Sequence, residues 1–217
     1  MRNLEHRALW EARLYGILDL GYVNVDKVRD VTEKMLAGGV QVLQLRAKQR
    51  SLSDLLPLAV EIAKLCHEKG IPFILNDHPE FVMEVGAAGA HLGQDDMAVA
   101  RARELAGDQA IIGKSTHSVA QAVQAREEGV DYIGFGPLFA TPTKPDYTPI
   151  GLDAISKAQN LSHLPVFCIG GIKRGNLAQV LAAGARRVVI VSGILQAADP
   201  ETYCKECREI LDPSPSP

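Results

Sequence analysis

At 217 residues the chain can bury a substantial core, and it fits one α/β barrel or two small domains. A formal charge of −3 excludes the broad basic field that nucleic acid requires, so any phosphate binding must be local. Hydrophobic residues make up 47% of the chain but fall in short runs, far from the roughly 18 apolar residues of a membrane span. The opening MRNLEHRALWEARLYG interleaves charges with apolar residues and lacks a signal-peptide core, which points to a soluble, cytoplasmic protein. Cys66 and Cys168 lie in apolar contexts that suit buried thiols. Cys204 and Cys207 form a lone CxxC inside a late helix, so neither zinc nor redox chemistry is expected of them.

No element is assigned before Arg13. Residues 13–19 (RLYGILD) read as a strand, and 25–36 as a helix stopped at Gly38-Gly39. Residues 41–46 (QVLQLR) give the second strand. A long amphipathic helix follows over 52–69, with Pro57 near its start where proline is tolerated. The third strand is 72–75, the third helix 81–85, the fourth strand 89–92 and the next helix 98–105, ended by Gly107. Strand five is 110–113 and its helix 119–128, with Ser118 as the expected cap. Strand six is 131–134, followed after a long loop by a helix over 152–158. Strand seven is 165–169, a helix spans 177–183, strand eight is 187–191, and a helix over 200–211 closes the chain.

Eight strand–helix units at a period of roughly 25 residues predict a single-domain α/β fold, a (β/α)8 TIM barrel over residues 1–211. A flavodoxin-like sheet shares the alternation but needs only about five or six strands. A phrase recurs before several strands, at Gly38-Gly39, Gly89, Gly129 and Gly184, where glycine would end a helix in the left-handed conformation. Residues 212–217 (DPSPSP) are expected to form a disordered Pro/Ser tail.

The stretch 72–96 holds the first chemical signal. One short strand ends in Asn76-Asp77, and the next ends in Gly93-Gln94-Asp95-Asp96. Parallel strands bring both tips to one face, so two carboxylates nearly twenty residues apart converge beside an amide. Asp77 and Asp96 together suit a hard, oxygen-ligated cation such as Mg²⁺, whereas each alone would read as a helix cap.

The other strand tips extend the pattern. Strand two ends in QLRAK: alternation puts Gln44 and Arg46 on one face, and Lys48 continues into the loop. Two cations facing two carboxylates make sense with a polyanion and its metal between them. Ser115 and His117 follow strand five; His117 and His78 have no assigned role, and the other histidines read as structural hydrogen-bonders. The loop from 134 to 146 is stiffened by Pro137, Pro142 and Pro145, and offers Thr141, Thr143 and Lys144 to phosphate oxygens. Strands seven and eight end in Ile169-Gly170-Gly171-Ile172 and Val191-Ser192-Gly193-Ile194, the usual phosphate-binding pair of loops in a barrel.

Taken in order, QLRAK, LND, HLGQDD, GKSTHS, YIGFGPLFATPTKPD, CIGGI and VVIVSGI resemble the thiamin-phosphate synthase (thiamin-phosphate pyrophosphorylase) family, from about Tyr15 to about Ile194. The resemblance implies a transferase that joins a hydroxymethylpyrimidine pyrophosphate to a thiazole phosphate, giving thiamin phosphate and pyrophosphate. It implies that Arg46, Lys48, Asn76 and Lys144 hold the pyrophosphate, with Ser115 near it and Asp77 and Asp96 on Mg²⁺. Gln44 would face the pyrimidine, while Thr141, Thr143 and backbone at Gly171, Val191 and Ser192 take the thiazole phosphate. Arg46, Lys48, Ser115 and Lys144 would be the catalytic set. Ala47 stands where the family often has Glu and Ala140 where it often has Pro; neither carries an assigned role.

The implied chemistry is dissociative, with pyrophosphate leaving before the thiazole nitrogen attacks, and it needs no protein nucleophile. Two readings stand as alternatives: a thiazole tautomerase of the same superfamily, which would have no pyrophosphate to hold, and a non-catalytic phosphate-ligand barrel. The partners implied are small molecules, without nucleic acid or membrane, and the sequence leaves a homo-oligomer open.

Overall fold

Short apolar runs separated by helical segments call for a sheet buried on both faces, and a closed parallel barrel supplies one. The computed structural model describes residues 4–48, 50–51, 53–141 and 148–212. Helix α1 (Leu4–Glu11) leads into strand β1 (Leu14–Asp19), α2 (Val28–Ala37) and β2 (Val42–Arg46). Then come α3 (Leu56–Glu68), β3 (Phe73–Asn76), α4 (Val82–Val85), β4 (Gly89–Leu92), α5 (Val99–Ala106) and β5 (Ile111–Thr116). The second half runs α6 (Val119–Glu127), β6 (Tyr132–Phe135), α7 (Ile155–Ser162), β7 (Val166–Cys168), α8 (Arg174–Ala182) and β8 (Arg187–Ile190). Two helices follow β8, α9 (Ser192–Leu195) and α10 (Pro200–Leu211). The strands pair in chain order, all parallel, and β8 returns to β1 through Leu14↔Val188 and Tyr15↔Val189. The chain is a (β/α)8 TIM barrel, as the sequence predicts.

Alternation along the strands divides the apolar residues into two cores. Leu14, Leu18, Leu43, Leu45 and Phe73 face the helices, while Tyr15, Ile17, Val42, Ile74, Ile111, Tyr132 and Phe167 fill the barrel. Phe167 packs edge-on against both Tyr15 and Tyr132, with ring centroids 5.3 and 5.7 Å apart. Gly113 makes room for this layer: a Cβ there would lie 2.1 Å from the Tyr132 ring.

Most predicted elements fall within a few residues of their places. Gly39, Gly129 and Gly184 adopt positive φ before their strands, as expected. Gly89 is different, because it already belongs to β4 and the left-handed turn is made earlier, at Gly86. Strand β5 runs to Thr116, further than expected, and so carries Ser115 within the sheet. Helix α8 starts at Arg174 rather than 177, where the Asn176 side chain accepts the Lys173 N–H. Ser118 caps α6 as expected, accepting the Gln121 N–H. The four cysteines are buried and free, and burial pushes the Cys204 thiol up to about 12 and Cys207 to about 11. Asp212 ends α10 and pairs with Arg13 and Arg208; the rest of the expected tail lies outside the described residues. Among the described residues no helix is long and apolar enough to cross a membrane.

Helix α1 has no counterpart in the sequence reading. It lies against the N-terminal end of the barrel, where the Trp10 carbonyl accepts from Arg187 at 2.6 Å. Its Leu9, fully buried, joins Tyr15, Val42 and Ile111 in the inner core. Leu9→Ala should therefore lower unfolding stability by about 2–5 kcal/mol in urea titration, and a loss under about 0.5 kcal/mol would mean that α1 does not close the barrel.

Candidate active site

The carboxyl ends of the strands surround a cavity that opens to solvent. Ile17, Gln44, Val189 and Ile169 line it from within the barrel, and Asp19, Arg46, Asn76 and Ser115 from the strand ends. Thr141, Gly171, Val191 and Ser192 complete the lining after strands β6, β7 and β8. Of the residues singled out from sequence, Gln44, Arg46, Asn76, Ser115, Thr141, Gly171, Val191 and Ser192 thus share one cavity. Lys48, Asp77 and Asp96 form a separate cluster beside its lining. Thr143 and Lys144 lie outside the described residues.

Strand register sets the charges. Asp19 lies opposite Arg46 in the β1–β2 ladder, and the Arg46 guanidinium donates to its carboxylate at 2.5 Å. Asp19 also accepts the Gly21 N–H at 2.9 Å and is only 2% exposed. This buried partner of Arg46 is absent from the sequence reading. An acidic residue closing a strand, two positions after the inward Ile17, was the available signal.

Lys48 reaches Asp77 at 3.3 Å. Asp77 takes a left-handed φ of 64°, which Asp tolerates better than most residues, and its N–H donates to the His91 carbonyl. The Asp77 and Asp96 carboxyls are neighbours. Neither acts as a helix cap: the turn after Asp77 is capped at His78, and α5 at Ala98. Burial, and then the adjacent Asp96, raise the Asp77 carboxyl above its ordinary range. Burial opposes ionisation of Asp96 too, but the Gly93 N–H, the Asp77 side chain and the Lys48 ammonium outweigh it and hold Asp96 low. Two neighbouring carboxyls, one of them disfavoured in its charged form by burial and by the other, fit a divalent cation. Among the described residues no cluster of three or more His, Cys, Asp or Glu could hold a metal, so the remaining ligands would be water and substrate oxygens.

Beneath the charges lies a chain of polar side chains. Gln44 Nε2 donates to the Tyr15 hydroxyl at 2.8 Å, and the Tyr15 and Tyr132 hydroxyls are 2.9 Å apart. The Tyr132 hydroxyl is 3.0 Å from His91 Nδ1, and His91 Nε2 is 3.0 Å from Ser115 Oγ. Burial pushes both phenols well above their usual range, so both keep their protons. His91 is the hydrogen-bonder the sequence reading expects, but it also lines the cavity. His117 lines it as well, with Nδ1 2.5 Å from the Gly136 carbonyl, whereas His78 pairs with Glu80 away from the lining.

On the far side, the start of the long loop continues the β6–β7 pairing through Leu138 N–H to Ile169 O and Phe139 N–H to Gly170 O. Gly171 has a φ of 66°, and a Cβ there would meet Phe139 at 2.7 Å, so only glycine fits against the loop. The short α9, too brief to stand out in sequence, begins at Ser192 on the cavity wall. Its first backbone N–H groups have no partner within the helix and suit an anion.

The buried Asp19–Arg46 pair gives a direct test. Asp19→Ala strands the guanidinium in a largely buried position and should lower unfolding stability by about 3 kcal/mol, measured by chemical denaturation. A change below about 1 kcal/mol would mean that the pair behaves as a solvated one.

The family model for thiamine monophosphate synthase matches residues 14–194. A thiamine-phosphate synthase of Thermus thermophilus is 46% identical over 189 residues, 87% of this chain and 91% of that protein. One from Chloroflexus aurantiacus is 38% identical over 210 residues, 96% of each chain. Among solved structures, a thiamine phosphate pyrophosphorylase from Pyrococcus furiosus superposes with a TM-score of 0.85 at 30% identity, covering 96% of this chain and 98% of the other. The matches span nearly the whole barrel, strand tips included, and the chain belongs to the thiamine monophosphate synthase family.

Proposed function

We propose that this barrel is a thiamin-phosphate synthase, a cytoplasmic transferase that joins 4-amino-2-methyl-5-hydroxymethylpyrimidine pyrophosphate to 4-methyl-5-(2-phosphoethyl)thiazole. One observation carries the reading: a single cavity has Arg46, Asn76 and Ser115 on one side and Gly171, Val191 and Ser192 on the other. Two anions can be held there at once, which a condensation with two phosphorylated substrates requires.

Arg46, held in place by Asp19, and Lys48 bind the pyrophosphate together with the Asn76 amide and the Ser115 hydroxyl. Gln44, at the base of the cavity, meets the pyrimidine. Thr141 and the backbone of Gly171, Val191 and Ser192 take the thiazole phosphate; Thr143 and Lys144 are assigned by family resemblance alone. Asp77 and Asp96 would hold Mg²⁺, which supplies Lewis-acid stabilisation of the departing pyrophosphate when bound. The C–O bond to pyrophosphate breaks first, the electron-rich aminopyrimidine stabilises the cation, and the thiazole nitrogen captures it. The protein's part is to orient both partners and to offset charge growing on the leaving group, through donors fixed before the reaction begins.

Pyrophosphate release measured with both substrates, with and without Mg²⁺, tests the reading. With both substrates, pyrophosphate and thiamin phosphate should form in equal amounts, and no thiamin phosphate from the parent enzyme would refute the reading. Asp77→Ala and Asp96→Ala should each lose most of this activity while melting as folded proteins. Retention within about tenfold, roughly 1.4 kcal/mol of barrier, would remove the metal assignment. The two anion sites can also be separated. Lys48→Ala should weaken the pyrimidine pyrophosphate more than the thiazole phosphate, and Ser192→Pro, which deletes a backbone donor, should do the reverse. Equal losses for both ligands would mean that the sites are misassigned.

A further inference from the structure

The buried chain from Gln44 to Ser115 has a direction, and that direction decides what Ser115 offers to the cavity. Gln44 Nε2 can only donate, so it uses one lone pair of the Tyr15 hydroxyl. The fully buried Tyr15 proton then has one acceptor within reach, the Tyr132 oxygen at 2.9 Å. With that oxygen accepting, the Tyr132 proton goes to His91 Nδ1 at 3.0 Å. An Nδ1 that accepts leaves the imidazole proton on Nε2, which donates to Ser115 Oγ at 3.0 Å. Running the chain the other way would need the Gln44 amide turned over, with Oε1 in place of the Nε2 donor that meets the Tyr15 hydroxyl.

We propose that Tyr132 and His91 are positioning residues that hold the Ser115 hydroxyl as a hydrogen-bond donor aimed at the departing pyrophosphate. The inference rests on the thiamin-phosphate synthase reading. Ser115 has one proton. If it were given to His91, the hydroxyl would present a lone pair to the anion and oppose it. Because His91 donates instead, that proton is left for the cavity, which Ser115 lines. The bond it makes strengthens as charge collects on the leaving group, so its effect belongs to kcat. Gln94 fixes the same strand from outside the chain, through its amide to the Ser115 carbonyl.

Nitrogen-15 NMR of the His91 ring in the unliganded enzyme reads the direction. An unprotonated Nδ1 and a protonated Nε2 are expected, and a protonated Nδ1, in a neutral or charged ring, overturns the proposal. Kinetics supply the second readout, through Tyr132→Phe, Ser115→Ala and the double variant, each checked for folding by thermal melting. Tyr132→Phe should lower kcat by about tenfold to a hundredfold with little change in either KM. In the Ser115→Ala background the same change should have no further effect on kcat. Equal losses in both backgrounds would show that Tyr132 does not act through Ser115. If the parent enzyme releases no pyrophosphate, the functional reading fails, while the NMR result still decides the direction of the chain.

Discussion

Closing eight parallel strands imposes the constraint on which the rest of this protein depends. Every second residue of each strand points inward, and all the strands end at the same mouth. Along β1 the inward series is Tyr15, Ile17, Asp19; along β2 it is Val42, Gln44, Arg46. Both run from apolar or aromatic at the base to ionic at the top. The register that pairs Ile17 with Gln44 pairs Asp19 with Arg46 two residues on. The charge arrangement at the mouth is thus fixed by the same ladder that holds the fold.

The base of the barrel makes that arrangement effective. Leu9 and Ala12 close the N-terminal end, and Tyr15, Tyr132 and Phe167 fill the layer above. Arg46 is largely buried over such a floor and needs a partner before a ligand arrives, whereas Lys48 is half-exposed. Arg46 has Asp19, and Lys48 has Asp77, which lies beside Asp96. The chain of amide, hydroxyl and imidazole groups beneath them offers directed hydrogen bonds. An anion entering the cavity therefore meets donors already in place, which lowers the reorganisation needed for reaction.

Much of this was legible in the sequence because barrel strands are short, continuous apolar runs with polar ends, and those ends line the cavity. Gln44, Arg46, Asn76, Ser115, Gly171 and Ser192 could each be placed by counting along a run. Other features depend on contacts that sequence distance hides. Asp19 looks like any acid closing a strand until its partner, 27 residues away, is known. The two tyrosine hydroxyls that meet in the barrel are 117 residues apart. Helix α1 buries only Leu9, too small an apolar face to show a period. Strand β5 continues through Lys-Ser-Thr because Lys114 turns outward to Glu128 while Ser115 turns in, a pattern that reads as loop from polarity alone. Gly89 repeats the phrase that ends helices elsewhere, yet a Cβ there would lie 1.8 Å from the Ile111 carbonyl, so close strand contact is what requires glycine.

The central claim is that one cavity holds two anions at once, on opposite walls. Calorimetric titration of the thiazole phosphate into enzyme saturated with inorganic pyrophosphate and Mg²⁺ tests it most directly. The account predicts one thiazole phosphate bound per chain, with an affinity equal to or tighter than that for the free enzyme. Competition between the two ligands, seen as an affinity that falls in proportion to pyrophosphate concentration, would contradict it.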